Sequence, residues 1–177
     1  MKYINFLILI MLGFSFICES ASSGERTLGE FERSSLGLDV DSYEYLVDLT
    51  HQYGDLAKVG RVVRDIAVNG KKDIYSNEMY ETIGGYLLSL EISVVDEENL
   101  LVLKYLMSHG VDPFKKDAAG AIPIFKAVFY SNPRSLKFIL NYSDYRIDHK
   151  DYLEKLRDYA LIDKKHESYL LLNEYIE

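Results

Sequence analysis

The side chains of this sequence that could do chemistry are few and widely spaced. The four histidines are His51, His109, His149 and His166, and no two of them stand at the spacing of metal ligands. The single cysteine, Cys18, excludes a disulfide framework and a cysteine-rich zinc site. No serine-hydrolase elbow, zinc-protease motif or phosphate-binding loop is present. The pattern predicts a protein that is not an enzyme and that needs no metal and no cofactor.

Two polar groups have a structural explanation beside a functional one. Asp96, Glu97 and Glu98 are three consecutive carboxylates that could converge on a cation, but the dipole at the start of a helix also favours acids there. We adopt the second interpretation. His109 precedes Gly110 at a predicted helix end, where its ring can bond one of the last carbonyl groups.

The composition is that of one globular domain or a short repeat array. The chain has 177 residues, of which 48% are hydrophobic and 27% charged, and its net charge is −8. An acidic balance argues against a nucleic-acid partner, because nucleic-acid binders need a basic surface. It favours a protein partner with a basic surface and fast, salt-sensitive association.

The first twenty residues have the order of a secretory signal peptide. Lys2 gives a basic start, residues 4–16 are mostly apolar, and small polar residues follow. A membrane-spanning helix needs about 20 apolar residues, which this stretch does not reach. We therefore predict that residues 1–20 form a signal peptide, cleaved after Ser20 or Ala21.

Two other fates of this segment stay open, an uncleaved membrane anchor and a lipid anchor on Cys18. Two of the three residues before the cysteine do not fit a lipoprotein motif. Residues 21–40 mix serine, glycine and charge, and predict a flexible leader. The expected protein is exported, most simply to the periplasm, and does not insert into a membrane after cleavage. Lipid-anchored and secreted forms are the alternatives.

From Asp41 onward the apolar residues recur at helical spacing, and no segment alternates with a period of two. This pattern predicts an all-α chain of about eight helices joined by short connections. Asp41 and Glu44 form a candidate capping box at the first helix. The predicted helices begin near Asp41, Leu56, Ser76 or Asn77, Asp96, Pro123, Asn132, Asp148 and Lys165.

One helix face recurs with a constant period of about 33 residues, a length typical of repeat architectures. The members of three series stand one such period apart: Leu103, Leu136 and Tyr169; Tyr105, Phe138 and Leu171; and Leu106, Ile139 and Leu172. Ala127 and Ala160 repeat the same spacing.

The residues between these recurring positions resemble an ankyrin repeat. A helix ends in the run 109–113 (HGVDP), a tight turn follows at 117–120 (DAAG), and Pro123 opens the next helix with Ala127 inside it. The physics of the turn is consistent, because glycine ends a helix in the left-handed region and proline presets a first helical turn.

The resemblance implies that residues 41–177 form an ankyrin-like solenoid of about four helical-hairpin repeats, with the outer two degenerate. This sequence departs from the family at two places. Ile122 and Phe125 stand where the family has threonine and histidine, so that apolar packing must replace hydrogen bonds there. Extra residues at 93–98 predict a longer loop inside the second repeat.

Ankyrin arrays bind other proteins through turn tips and first-helix faces, which together form one continuous surface. Phe129 and Tyr130 are the strongest candidates on this surface, because two aromatic residues at one helix end have no evident core role for both. The family's surface positions, carried over to this sequence, give these candidate protein-binding residues: Lys126, Phe129, Tyr130, Tyr152, Tyr159 and Asp163.

The resemblance and the predicted export together imply a binding role in the cell envelope of a bacterium. One form of that role is an immunity protein that occludes a secreted toxin. The alternatives are a periplasmic scaffold or protector of an envelope enzyme, and a secreted ankyrin effector that binds host proteins. In each case the expected chain is monomeric on its own.

Overall fold

The computed structural model describes residues 43–142 and 148–177, with side chains from Asp48 onward. Within these residues all regular structure is helical, which confirms the predicted all-α class. In the same ranges no helix is long and apolar enough to cross a membrane. The predicted signal peptide, the leader and the Asp41 capping residue lie outside the described residues. The helices are α1 (Tyr43–Tyr53), α2 (Leu56–Asn69), α3 (Asn77–Ile92), α4 (Asn99–Ser108), α5 (Pro123–Phe129), α6 (Pro133–Tyr142), α7 (Lys150–Ile162) and α8 (His166–Ile176).

Short polar caps explain where several of these helices begin and end. The side chain of Asp55 accepts hydrogen bonds from the backbone of Ala57 and Lys58, at 3.0 and 3.3 Å, and begins α2. Ser76 caps α3 through the backbone N–H of Met79. Gly70 ends α2 with a φ of 62°, in the left-handed region where glycine has no steric penalty. The sequence predicted the start at Ser76 but not the cap at Asp55.

Two predicted helix starts are wrong by two or three residues. The fourth helix begins at Asn99 rather than at Asp96. Asp96 lies before the helix, and its carboxylate accepts hydrogen bonds from the backbone N–H groups of Glu98 and Asn99. The seventh helix begins at Lys150 rather than at Asp148, and the residue before it makes no side-chain capping bond. Asp96 therefore still accepts hydrogen bonds at the start of the fourth helix, although it lies outside the helix.

The helices associate in consecutive pairs that stack in two layers. α1 contacts α2, α3 contacts α4, α5 contacts α6, and α7 contacts α8. The first members α3, α5 and α7 contact one another in succession. The second members α2, α4, α6 and α8 do the same. Each helix from α2 to α8 therefore packs against the other helix of its own pair and against a helix of a neighbouring pair.

One of the three series that recur with the sequence period lies wholly in the core between these layers. Leu106, Ile139 and Leu172 are each 0% exposed, on α4, α6 and α8. Ala127 and Ala160 are also 0% exposed, on the first-layer helices α5 and α7. The sequence period therefore corresponds to equivalent buried places in successive pairs.

The turns inside the third and fourth pairs repeat the same backbone geometry. Ser131 and Lys164, which stand one period apart, have positive φ angles of 53° and 57°. The next residue in each turn donates to the carbonyl of Ala127 or Ala160 at 2.8 Å. Because non-glycine residues rarely adopt this conformation, its recurrence at one spacing strengthens the case for a structural repeat.

The connection between α4 and α5 forms the predicted tight turn. The Asp117 side chain accepts from the backbone N–H groups of Ala119 and Ala121, at 2.8 and 2.9 Å, and Gly120 has a φ of 74°. The backbone N–H of Ile124 donates to the carbonyl of Pro113 at 3.0 Å and closes the base of the connection. The turn chemistry predicted from the sequence is confirmed.

The two predicted departures from the family pattern also have clear structural outcomes. Ile122 and Phe125 are 8% and 0% exposed, so apolar packing does occupy these positions. The connection between α3 and α4 spans residues 93–98, longer than the connections inside the first, third and fourth pairs. The expected longer loop is therefore present in the second pair.

Candidate functional site

The histidines take four separate places in the described structure. His109 bonds the carbonyl of Tyr105 through Nδ1 at 2.8 Å, which confirms its predicted place at a helix end. His149 stacks on Phe114 with ring centroids 4.1 Å apart, whereas His51 and His166 are exposed. Within 43–142 and 148–177 no group of three side chains is arranged to hold a metal ion.

A partly buried cluster joins one carboxylate to two phenols and a histidine. Tyr80 and Tyr105 donate to Oδ2 of Asp73, at 2.9 and 2.5 Å, and the two phenol oxygens lie 3.2 Å apart. Nε2 of His109 lies 3.7 Å from the same carboxylate oxygen. The cluster links the 70–76 connection to α3 and α4.

The pKa shifts in this cluster agree with its hydrogen-bond pattern. Burial and the hydrogen bonds to Tyr105 and Asp73 raise the pKa of Tyr80. Burial also opposes ionisation of Asp73, but the hydrogen bonds from Tyr105, the Tyr75 backbone and Tyr80 outweigh it and lower the pKa of Asp73. These directions agree with a carboxylate acceptor that neutral phenol donors hold between the 70–76 connection, α3 and α4.

A second polar group lies at the base of the α4–α5 turn. Ser89 donates to the Asp117 carboxylate at 2.5 Å. Burial raises the pKa of Asp117, with the hydrogen bonds from Ser89 and the turn backbone acting the other way. Burial lowers the pKa of Lys126, and the nearby charge of Asp117 partly offsets that shift. Lys126, a predicted binding residue, therefore sits half-buried beside the turn instead of extending freely into solvent.

The predicted aromatic pair lies next to Lys126 at the end of α5. We call Phe125, Phe129 and Tyr130 the aromatic ridge. Phe125 is its fully buried floor, the Phe129 ring lies 5.8 Å from it, and Tyr130 meets Phe129 edge-on at 5.2 Å. Tyr130 is 42% exposed, and the Lys126 ammonium lies 5.9 Å from its ring centroid. The structure thus brings three of the six predicted binding residues together at one helix end.

Tyr159 and Asp163 continue this group onto α7, but Tyr159 is a core residue. Its ring lies 5.0 Å from Phe125 and only 6% of its surface is exposed. Its hydroxyl donates to Asp163 at 3.2 Å, and burial raises its pKa. The area that Tyr159 can offer to a partner is therefore small. The structure places this predicted surface residue between α5 and α7, where it packs and orients Asp163.

Tyr152 lies away from the other five residues. It stands seven residues before Tyr159 on α7, about 10 Å along the helix axis at 1.5 Å per residue. Its ring meets Phe114 edge-on at 6.2 Å, next to the stacked His149. It belongs to a second aromatic group under the α4–α5 connection.

Charge is distributed unevenly around these groups. Residues 73–98 contain seven acidic and no basic residues, whereas residues 99–142 contain six basic and two acidic ones. The aromatic ridge lies in the basic segment. The net charge of −8 is therefore spread unevenly along the sequence, a distinction that composition alone cannot make.

Sequence reasoning missed the links between distant parts of the chain. Asp73 and Tyr105 are 32 residues apart, and so are Arg64 and Asp96, which form an ion pair at 2.5 Å. No local motif marks either pair. Both separations are close to the sequence period. Polar residues of opposite role at that spacing were therefore the sequence signal that could have predicted these two pairs.

No protein family, no curated protein and no solved structure matches this chain.

Proposed function

We propose that the protein is a non-enzymatic protein-binding module built as an ankyrin-like solenoid of about four helical-hairpin repeats. Three features support the solenoid: the sequence period in the core, the recurring left-handed turns, and the stacking of successive pairs in two layers. The observation that carries the binding role is the aromatic ridge. Tyr130 leaves 42% of its surface exposed beside Phe129 and a half-buried lysine, an arrangement typical of an interface anchor.

The proposed binding surface consists of Lys126, Phe129, Tyr130 and Asp163, with Tyr152 further along α7. Tyr159 supports it from below. The partner is another protein, and the net charge of the whole chain favours one with a basic surface. The proposed module acts alone as a monomer, in an exported, periplasmic setting after removal of residues 1–20. The intact mass of the isolated protein tests the cleavage: a mass starting at residue 21 or 22 supports it, and a retained leader or an added lipid contradicts it.

Within this class we propose an immunity role, in which the module covers the active site of a secreted toxin. The argument is one of fold and compartment, with steric occlusion as the mechanism. Affinity capture from the native cell with the tagged protein, followed by mass spectrometry, separates the alternatives. A single basic secreted toxin supports the immunity role. A resident envelope enzyme supports the scaffold role instead, and recovery of the protein mainly from the culture medium supports the effector role.

The surface itself has a sharper test with the captured partner. Replacing Phe129 and Tyr130 together by alanine should weaken binding about tenfold or more, because large aromatic anchors dominate interface energies. The matched control is the pair Phe138 and Tyr142 on α6, another half-exposed aromatic pair with ring centroids 5.7 Å apart. Its replacement by alanine should leave binding unchanged. Equal effects of the two double variants, at unchanged helical circular dichroism, would remove the ridge from the interface.

A further inference from the structure

The longer loop of the second pair exposes apolar side chains that no neighbouring pair covers. Val95 is 79% exposed and Val94 is 37% exposed, and Leu101, one turn into α4, is 49% exposed. We call these three residues the valine patch. The loop that carries two of them is longer than the connections inside the other three pairs.

Hydrogen bonds to buried amides hold this loop in place. The Asn99 side chain donates to the carbonyl of Val94 at 3.0 Å and to Ser135 at 3.0 Å. The Asn132 side chain donates to the carbonyl of Ile92 at 2.9 Å. Both asparagines are almost fully buried, at 1% and 4% exposure. The loop therefore cannot withdraw its valines into the core without breaking buried bonds, and the exposed patch is preorganised.

Acidic residues adjoin the two valines of the patch in the loop. Arg64 of α2 bonds Glu91, Asp96 and Glu98, at 2.7, 2.5 and 3.2 Å, so one cation faces three carboxylates. Glu97 is exposed on the same loop. An apolar centre with an acidic margin is complementary to an apolar segment flanked by lysine or arginine.

A cleft beside the patch offers space for an apolar anchor. It has a volume of about 320 Å³ and lies between α2, α3 and α4, with Val94 and Asp96 at its edge. Two small residues of α2, Ala57 and Gly60, line this space together with the larger Leu87 and Leu90 of α3. Nothing in the aromatic ridge is part of this cleft.

We propose that the valine patch and this cleft form a second docking surface, for a protein segment that presents an apolar side chain between basic residues. The surface is separate from the aromatic ridge, and its two valines lie in a stretch, 73–98, whose charged residues are all acidic. This inference does not depend on the proposed function of the ridge.

The test is a titration of the isotope-labelled protein, produced from its full-length gene, with two synthetic peptides followed by NMR. One peptide is an amphipathic helix with leucines at i, i+3, i+4 and i+7 and lysines elsewhere, and the other has glutamates in place of the lysines. We expect the lysine peptide alone to cause saturable shifts, centred on the amides of residues 90–101. Val95→Ser and Glu97→Lys should each weaken this binding about fivefold, as expected for residues at the centre and margin of an interface.

Two control variants separate this surface from general attraction to an acidic protein. Leu161→Ser changes another exposed apolar residue, 60% exposed on α7, and should leave the affinity unchanged. Alanine at both Phe129 and Tyr130 should also leave it unchanged, so that failure of the ridge and failure of the patch are distinguishable. Equal binding of the two peptides, shifts spread over the whole chain, or full affinity in Val95→Ser would overturn the proposal. Self-association that Val95→Ser abolishes would overturn it in favour of a second copy of the chain.

Discussion

At the residue scale, Gly84 shows how closely the second pair approaches the α4–α5 connection. A Cβ atom at this position would lie far inside van der Waals contact with Cγ2 of Val111. Val111 is itself 6% exposed and follows the left-handed Gly110 at the end of α4. The glycine is therefore a packing requirement, since it lies within α3 and no turn needs it there.

Gly84→Ala should destabilise the fold by about 1–3 kcal/mol, because the added methyl group overpacks a buried contact. Gly60→Ala is the matched control. Gly60 also lies in a helix, but the nearest atom to an added Cβ, Cδ2 of Leu87, is 3.6 Å away. Its replacement should be neutral or stabilising by up to about 1 kcal/mol, because alanine is the better helix former. Urea unfolding of both variants measures the difference, and equal changes in the two would contradict this account of Gly84.

At the element scale, the Asp73 cluster fixes the 70–76 connection against α3 and α4. The pKa of Asp73 is lower in the folded chain than in the unfolded one, where an aspartate titrates near about 4. A carboxyl with a lowered folded pKa contributes stability above its unfolded pKa. That contribution is lost as the pH falls through the folded pKa.

Asp73→Asn should therefore lower the free energy of unfolding by about 1–2 kcal/mol near neutral pH, the usual effect of losing hydrogen bonds to a charged group. The difference between variant and wild type should shrink below about pH 4, as the wild-type carboxylate becomes protonated. Asp158→Asn is the control, since Asp158 is an exposed carboxylate paired with the adjacent Arg157. A difference for Asp73→Asn that persists undiminished in acid would show that the carboxylate charge is not what stabilises the connection.

The elements themselves were largely predictable, because local chemistry determines them. Apolar spacing defined the helices, and Ser76, Asn132 and Pro123 marked where three of them start. What local chemistry does not determine is which distant residues meet. The period predicted that successive pairs are equivalent. The burial of Tyr159, however, depends on its ring contact with Phe125 of the preceding pair. Its surface role was inferred from position in the repeat, and the contact with the preceding pair overrode it.

At the scale of the whole molecule, charge and binding candidates separate into two regions. The acidic stretch 73–98 carries the two valines of the valine patch, and the basic stretch 99–142 carries the aromatic ridge. A protein that used both could recognise two features of one partner, or two partners at once. The affinity of each proposed surface should therefore be measured separately and at several salt concentrations. Salt should weaken binding most at the surface where charges of one sign concentrate.

The proposed solenoid also predicts how stability is distributed along the chain. In a linear array each pair contacts only its neighbours, so a core defect should act locally, whereas in a single cooperative core it should act on every element. Leu106 and Leu172 occupy equivalent, fully buried positions on α4 and α8. Truncation of either to alanine should cost about 2–5 kcal/mol at its own site.

Native-state hydrogen exchange distinguishes the two architectures. We expect Leu172→Ala to lower the protection of amides in α7 and α8 strongly, and that of amides in α2 hardly at all. Leu106→Ala should instead lower the protection of α3 and α4 together with the pairs on either side. Each variant serves as the control for the other, because the substitution and its burial are the same and only the place in the array differs. A uniform loss of protection from α2 to α8 in both variants would contradict the solenoid, since it would mean that the contacts between pairs are as strong as those within them.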